Sequence, residues 1–268
     1  MSKIPFALQL ATNEYVGVHD IERGTKCGCI CPSCKTPLSA RKGDVNAWHF
    51  SHATRGTADK THKDCEFSFF VSVTQMAKQI FVESESEKLC LPKYLYDVED
   101  RHPIHQCRIS REILITPASD IDIGACVIEG KVGRHAADVV MHVGNYPLAI
   151  GFSHKEKTFP VNPELLDGID AGLIKIDLTG TLKIFAELKG ETEQSFKAHL
   201  HDYLLTELEN KEWLYHSRQD TKISMTRELL LKEPIYISAV AALESKTASK
   251  RGDFIDRALD GFELSRKF

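Results

Sequence analysis

The spacing of apolar positions changes character twice along the chain. From Cys65 to Phe81 the residues Phe69, Val73, Met76, Ile80 and Phe81 recur every three or four positions, which predicts a helix with one buried face. Glu83 to Lys88 reads as its solvated end. Between about Leu91 and Leu182 the pattern shortens to β-prone runs, and strands are expected over Cys107–Ile115, Ala137–Val143, Tyr146–Phe152 and Leu173–Leu178. A helical period returns after Thr192 through Phe196, Leu200, Tyr203, Leu204 and Leu208 to Trp213. A further helix is expected near Met225–Lys232, and Ile235–Leu243 is apolar without a clear period. Ser51 to Asp64 is small, polar and charged, and reads as a loop. The alternation predicts an α/β (α+β) fold, with residues 1–64 as a small module and 65–268 as a larger domain ending in a helical region.

Within the strand-rich stretch, Gly144-Asn145 is a two-residue hairpin turn between β-prone runs, because such turns need positive φ. That register sets Asp138 opposite Gly151 and Val143 opposite Tyr146. Alternation then gathers Val139, Met141, Val143, Tyr146, Leu148, Ile150 and Phe152 on one apolar face. Asp138, His142, Gly151, Ser153 and Lys155 fall on the other. Pro147 cannot donate to a ladder, so its strand should be at an edge or irregular there.

Composition adds exclusions. Of 268 residues, 42% are hydrophobic and 27% charged, which argues against a disordered, collagenous or coiled-coil chain. No apolar run is long enough for a membrane span, and MSKIPFALQLATNEY is too short in apolar residues for a secretory signal, so a cytoplasmic protein is expected. In that reducing setting the eight cysteines point to metal rather than disulfides. The net charge of −4 gives no global attraction to nucleic acid, so such contacts must be local.

Four of the cysteines lie between Cys27 and Cys34. Cys31-Pro-Ser-Cys34 is a knuckle that aims two thiolates at one point. After fourteen intervening residues, His49-Phe-Ser-His52 offers imidazoles to complete a tetrahedral structural zinc site. Cys27, Cys29 and Cys65 are spare ligands, and strand geometry could keep His49 and His52 from pointing the same way. Arg41, Lys42 and Arg55 flank this module as candidate DNA phosphate contacts.

These residues together resemble the competence protein CoiA family, in which a zinc module precedes a restriction-endonuclease-like mixed-sheet domain flanked by helices. Cys31-Pro-Ser-Cys34, Gly43 and His49-Phe-Ser-His52 look like its zinc module, and Lys78 like its helix lysine. Arg134 and Ala137-Asp138-Val139 resemble the strand with the metal-binding aspartate. Leu148-Ala-Ile150 looks like the next strand, His154 like a histidine just after it, and Ile176-Asp177-Leu178 like a later core strand. Leu208–Tyr215 looks like a terminal helix. The resemblance implies a nuclease site on Asp138, His154, Lys155 and Lys78, with Arg134 among the DNA contacts, and a magnesium- or manganese-dependent endodeoxyribonuclease if active.

One departure bears on activity. Where the resemblance expects a catalytic glutamate stands Gly151, and Phe70 and Thr74 occupy the helix positions that often carry Glu and His. Either Glu66, Asp122 or Glu156 supplies the missing acid, or the chain binds DNA without cutting. The expected function is DNA processing in uptake or in defence against foreign DNA. The alternative is a non-catalytic subunit docked on a partner helicase or nuclease.

Overall fold

The computed structural model describes residues 3–53, 68–101, 108–161 and 169–232. Arg55, Cys65, Glu66, Cys107, most of the Ser51–Asp64 loop and Ile235–Leu243 lie outside them. Two compact units are formed, residues 1–94 with 117–217, and residues 95–116 with 218–268.

The first unit begins with short strands β1 (Phe6–Gln9), β2 (Glu14–Gly17), β3 (Cys29–Ile30), β4 (Leu38–Arg41) and β5 (His49–His52). β1 is central to a three-stranded sheet, and β4 and β5 form a separate antiparallel ribbon. Their apolar side chains, among them Ile4, Val18, Leu38 and Phe50, make a small core of their own. Phe6 leaves that core and stacks on Phe196 at 5.3 Å.

The expected first helix is α1 (Ser68–Glu83), with Val73, Met76, Ile80 and Phe81 buried. It is followed by β6 (Lys88–Leu91), β7 (Tyr94–Arg101), β8 (Arg108–Thr116), β9 (Ser119–Asp122), β10 (Cys126–Ile128), β11 (Lys131–Val132), β12 (His135–Ala136), β13 (Val139–Val143) and β14 (Tyr146–Ser153). β15 (Gly172–Asp177), α2 (Thr181–Glu187), α3 (Phe196–Leu205), β16 (Lys211–His216) and α4 (Gln219–Lys232) complete the described chain. A mixed five-stranded sheet runs in the order β10-β13-β14-β15-β16, with β14 and β15 parallel and the other pairs antiparallel.

The hairpin register is the expected one: Val143 faces Tyr146 and Val139 faces Ile150 across a turn in which Gly144 has φ 62°. Pro147 sits in the interior strand β14, but before β15 begins its pairing at Leu148, so its missing N–H interrupts no ladder. Val139, Met141, Leu148, Ile150 and Phe152 bury against α1 as the alternation predicts, while Tyr146 at the turn is exposed. The opposite face is not the polar surface expected. Val140, Ala149 and Leu173 carry a second apolar cluster there, with Phe159 packed on it.

The helix expected to run on from Phe196 to Trp213 stops at Leu205, and the Leu208–Tyr215 segment is largely strand β16. The period of two in Lys211-Glu-Trp-Leu-Tyr-His suits the free edge of β15, and pairing there satisfies a row of backbone groups a helix would leave unpaired. Trp213 is anchored by its Nε1–H, which donates to the Pro92 carbonyl at 2.8 Å.

In the second unit β7 and β8 pair, and Val98, Ile223 and Leu230 form its described core. The Lys222 ammonium caps the carbonyls of Leu114 and Ile115 at 2.7 and 3.0 Å. Among the described residues no helix is long and apolar enough to cross a membrane.

Candidate functional site

Two clusters of chemically capable residues stand in the first unit. The first is the knuckle between β3 and β4. Cys31 follows β3 directly and its amide donates to the Thr36 carbonyl at 2.9 Å, while the Lys35 amide donates back to the Cys31 carbonyl at 2.9 Å. Lys35 accepts φ 61° to close this turn. The Cys31 and Cys34 sulfurs and a His52 ring nitrogen lie within 4.8 Å of one another, with Cys34 Sγ 3.2 Å from His52 Nε2. Burial pushes the Cys31 thiol up to about 12, and the backbone amides of Cys34 and Ser33 beside its sulfur act the other way. Two sulfurs and an imidazole are the donor set that borderline-soft zinc prefers, and a bound cation would hold both sulfurs as thiolates, the buried Cys31 included. The trio can therefore hold a metal ion.

His49 does not join it. On β5, residues 49 and 52 point to opposite faces of the ribbon, because their separation is odd. His49 instead donates its Nδ1–H to the Ala47 carbonyl at 2.8 Å. Cys27 and Cys29 are packing residues whose thiols donate to the carbonyls of Leu38 and Cys27 at 3.5 and 3.3 Å.

The second cluster surrounds Asp138, which is 9% exposed at the start of β13. Its Oδ2 accepts the Phe152 amide at 2.8 Å. The Lys78 ammonium, buried on α1, lies 3.3 Å from Asp138 Oδ1 and 3.1 Å from Glu129 Oε1. Lys157 places a second ammonium 3.3 Å from both Asp138 oxygens. Two carboxylates and two ammoniums thus neutralise one another. Asp138 and Lys78 come together as the resemblance implies. Lys157, not Lys155, is the strand-end lysine that reaches Asp138.

Among the described residues neither His154 nor Lys155 makes a hydrogen bond or ion pair with the Asp138 carboxylate. A tight turn of reciprocal bonds between the backbones of His154 and Lys157 follows, and it is Lys157 that returns to Asp138. The His154 ring stacks on Phe70 at 4.5 Å and its Nδ1 accepts the Glu156 amide at 3.3 Å. Burial holds its pKa below the usual histidine range, so it is a neutral acceptor at physiological pH. Lys155 pairs with Glu156 at 3.6 Å. Of the acids considered as replacements, Glu156 is engaged there and Asp122 pairs with Lys88 at 2.5 Å. Glu129 is the acid beside Asp138, and its isolated place in a Glu-Gly turn carried no sequence signal.

Beside Asp138, the backbone at Gly151 has no room for a side chain. A Cβ there would enter the Phe159 ring, which lies over the glycine and meets His135 edge-on at 5.3 Å. Phe70 and Thr74, about two turns and one turn before Lys78 on α1, are both buried, and among the described residues the Thr74 hydroxyl has no hydrogen-bond partner. Arg134 is exposed between β11 and β12, beside Gly133 at φ 58°. Arg41 and Lys42 lie at the end of the β4–β5 ribbon, on the side His49 faces.

The fold and these clusters define a mixed α+β protein with a small Cys/His cluster, able to hold a metal ion, ahead of a sheet-containing domain. Residues 18–67, which contain the knuckle and His52, match the family model for the N-terminal domain of competence protein CoiA. No curated protein and no solved structure matches the chain.

Proposed function

We propose that this chain is a zinc-containing, nuclease-related DNA-binding protein of DNA uptake or defence, whose restriction-endonuclease-like centre is locked by its own ion pairs and does not cut. The match over the knuckle supports the competence setting. The observation that carries the non-cutting reading is the covered Gly151. A magnesium ion in such a centre needs at least two oxygen-bearing side chains together, and here the second position is closed by Phe159 while Lys78 and Lys157 already compensate Asp138. Cys31, Cys34 and His52 would hold zinc, and a fourth protein donor would close the site so that the ion supplies cohesion to the module.

The test is cleavage of single- and double-stranded DNA with magnesium or manganese, beside an Asp138→Ala control. No cleavage by either protein is expected. Cleavage by the parent that the control loses would sink the reading and make Glu129 the acid to examine. A docking role is favoured by a separate feature, the edge strand β10, where Val127 and Ile128 stand exposed. On that reading Val127→Glu releases a co-purifying helicase or nuclease and leaves zinc content unchanged.

A further inference from the structure

The β4–β5 ribbon turns its polar side to a groove of about 380 Å³ lined by Arg23, Arg41, Lys42, Asp44, His49 and Ser51. The cations arrive from separate segments. The Gly24–Ala40 bridge brings Arg23 alongside β4, and register sets Arg41 against His49. Arg41 Nε donates to Ser51 Oγ at 2.9 Å, which fixes the plane of its guanidinium. Lys42 lies over the Trp48 ring at 4.8 Å, and the indole Nε1–H donates to the Gly43 carbonyl at 3.2 Å.

Elsewhere in this unit Lys78, Lys88, Lys157 and Lys197 all have carboxylate partners. Among the described residues Arg23, Arg41 and Lys42 have none within ion-pair distance. Three cations without an ion-pair partner thus face one concavity, in a chain whose net charge is −4. The field is felt by His49, whose pKa is lowered by burial and by the nearby charges of Lys3 and Arg41.

We infer that this groove, and not the Asp138 centre, is where the chain takes the phosphodiester backbone of a nucleic acid, with Arg23, Arg41 and Lys42 as the phosphate contacts and the metal knuckle as their scaffold. The inference rests on the DNA-binding reading above and locates it. A guanidinium fork suits a phosphate bidentately, and Arg41 is held in one plane by Ser51 before any ligand arrives. Asp44 is the groove's only carboxylate among the described residues and works against binding. The Asp138 centre, by contrast, has its two ammoniums neutralised internally and offers a phosphate no net attraction.

The experiment uses the zinc-loaded full chain and a labelled 20-base single strand or its duplex, with affinity followed by fluorescence anisotropy from roughly 50 to 200 mM salt. The variants are Arg23→Gln/Arg41→Gln/Lys42→Gln combined, Asp44→Asn, and Asp138→Ala. Equal zinc content and an unchanged melting curve confirm that the groove variants fold. The triple variant is expected to lose about tenfold or more in affinity and to flatten the single-strand salt slope by about 2. Asp44→Asn is expected to bind about two-fold tighter, and Asp138→Ala to bind as the parent does. If the parent binds DNA but the triple variant and Asp44→Asn bind equally well, the groove is wrong and the DNA-binding reading stands. A parent that binds no DNA at low salt ends both. Competition by polyglutamate as effective as that by DNA would show a generic polyanion surface and overturn the assignment to nucleic acid.

Discussion

The knuckle and the Asp138 centre both gather side chains that bind cations, and they handle the problem of buried like charges in opposite ways. At the knuckle, Cys31, Cys34 and His52 bring their donor atoms within 4.8 Å of one another, a set that an ion from outside can complete. At the Asp138 centre, Lys78 and Lys157 stand where such an ion would be attracted, and the carboxylates are compensated by the chain itself. A metal-ligand set and an ion-pair network thus differ less in their acidic members than in what stands between them. The charge of an exchangeable metal responds to chelators and supply, whereas that of a tethered lysine is permanent.

The largest expected effect comes from the knuckle. Removing zinc by chelation, or replacing Cys31 and Cys34 with Ser, should unfold the module, since structural zinc contributes on the order of 10 kcal/mol in small zinc domains. Hydrogen exchange over residues 3–53 and metal analysis read this directly. His49→Ala should keep about one zinc per chain and His52→Ala should not; the reverse result would mean that the ribbon's two faces are misassigned.

Next in size is Asp138→Ala. It leaves the buried Lys78 ammonium with the exposed Glu129 as partner, and should cost about 3 kcal/mol in urea denaturation. Millimolar magnesium should leave the parent's midpoint unmoved. A magnesium-dependent rise abolished by Asp138→Ala would erase the contrast between the two regions.

Gly151→Glu, which restores the carboxylate the resemblance expects, should destabilise by about 1–3 kcal/mol because it must displace the Phe159 ring. Adding Phe159→Ala should recover part of that loss, a coupling that a double-mutant cycle measures. Independent, additive effects would show that the ring is not what closes the position.

The smallest effect sharpens the comparison from outside both clusters. Lys211 is a buried ammonium whose side chain donates to the Glu207 carbonyl, and burial pushes its pKa down to about 8 from an ordinary 10.5. Its charged form opposes folding, so stability should rise as pH climbs from about 8 towards 10.5. Lys211→Met should remove that slope and add on the order of 1 kcal/mol at neutral pH. Lys78, buried but flanked by two carboxylates, should produce no such gain when replaced.

Much of this was legible from residue order where one local rule governs. The turn chemistry of Gly144-Asn145 set the β13–β14 register, and the three-four spacing from Phe69 onward defined α1. The odd separation of His49 and His52 already warned that one strand could not aim both at a single ion. Tertiary pairing decided the rest. Leu208–Tyr215 suits a helix by composition, but the open edge of β15 recruits most of it as a strand. The face carrying Gly151 looked polar because part of its cover, Leu173 and Tyr215, is remote in sequence from the hairpin, and Phe159 reaches it only after the chain turns back beyond β14. Lys157 carries no sequence signal of its place, since nothing local shows the turn at His154 that swings it onto Asp138.

The stacking of Phe6 on Phe196 has a consequence for biosynthesis. The N-terminal strands leave the ribosome first, yet the ring that covers Phe6 is made nearly two hundred residues later. At translation speeds of roughly 5–20 residues per second, that apolar face stays bare for roughly 10–40 s. A nascent chain caught in that interval is a client for a chaperone, and a message truncated before α3 yields a module that can bind its ion and still be sticky.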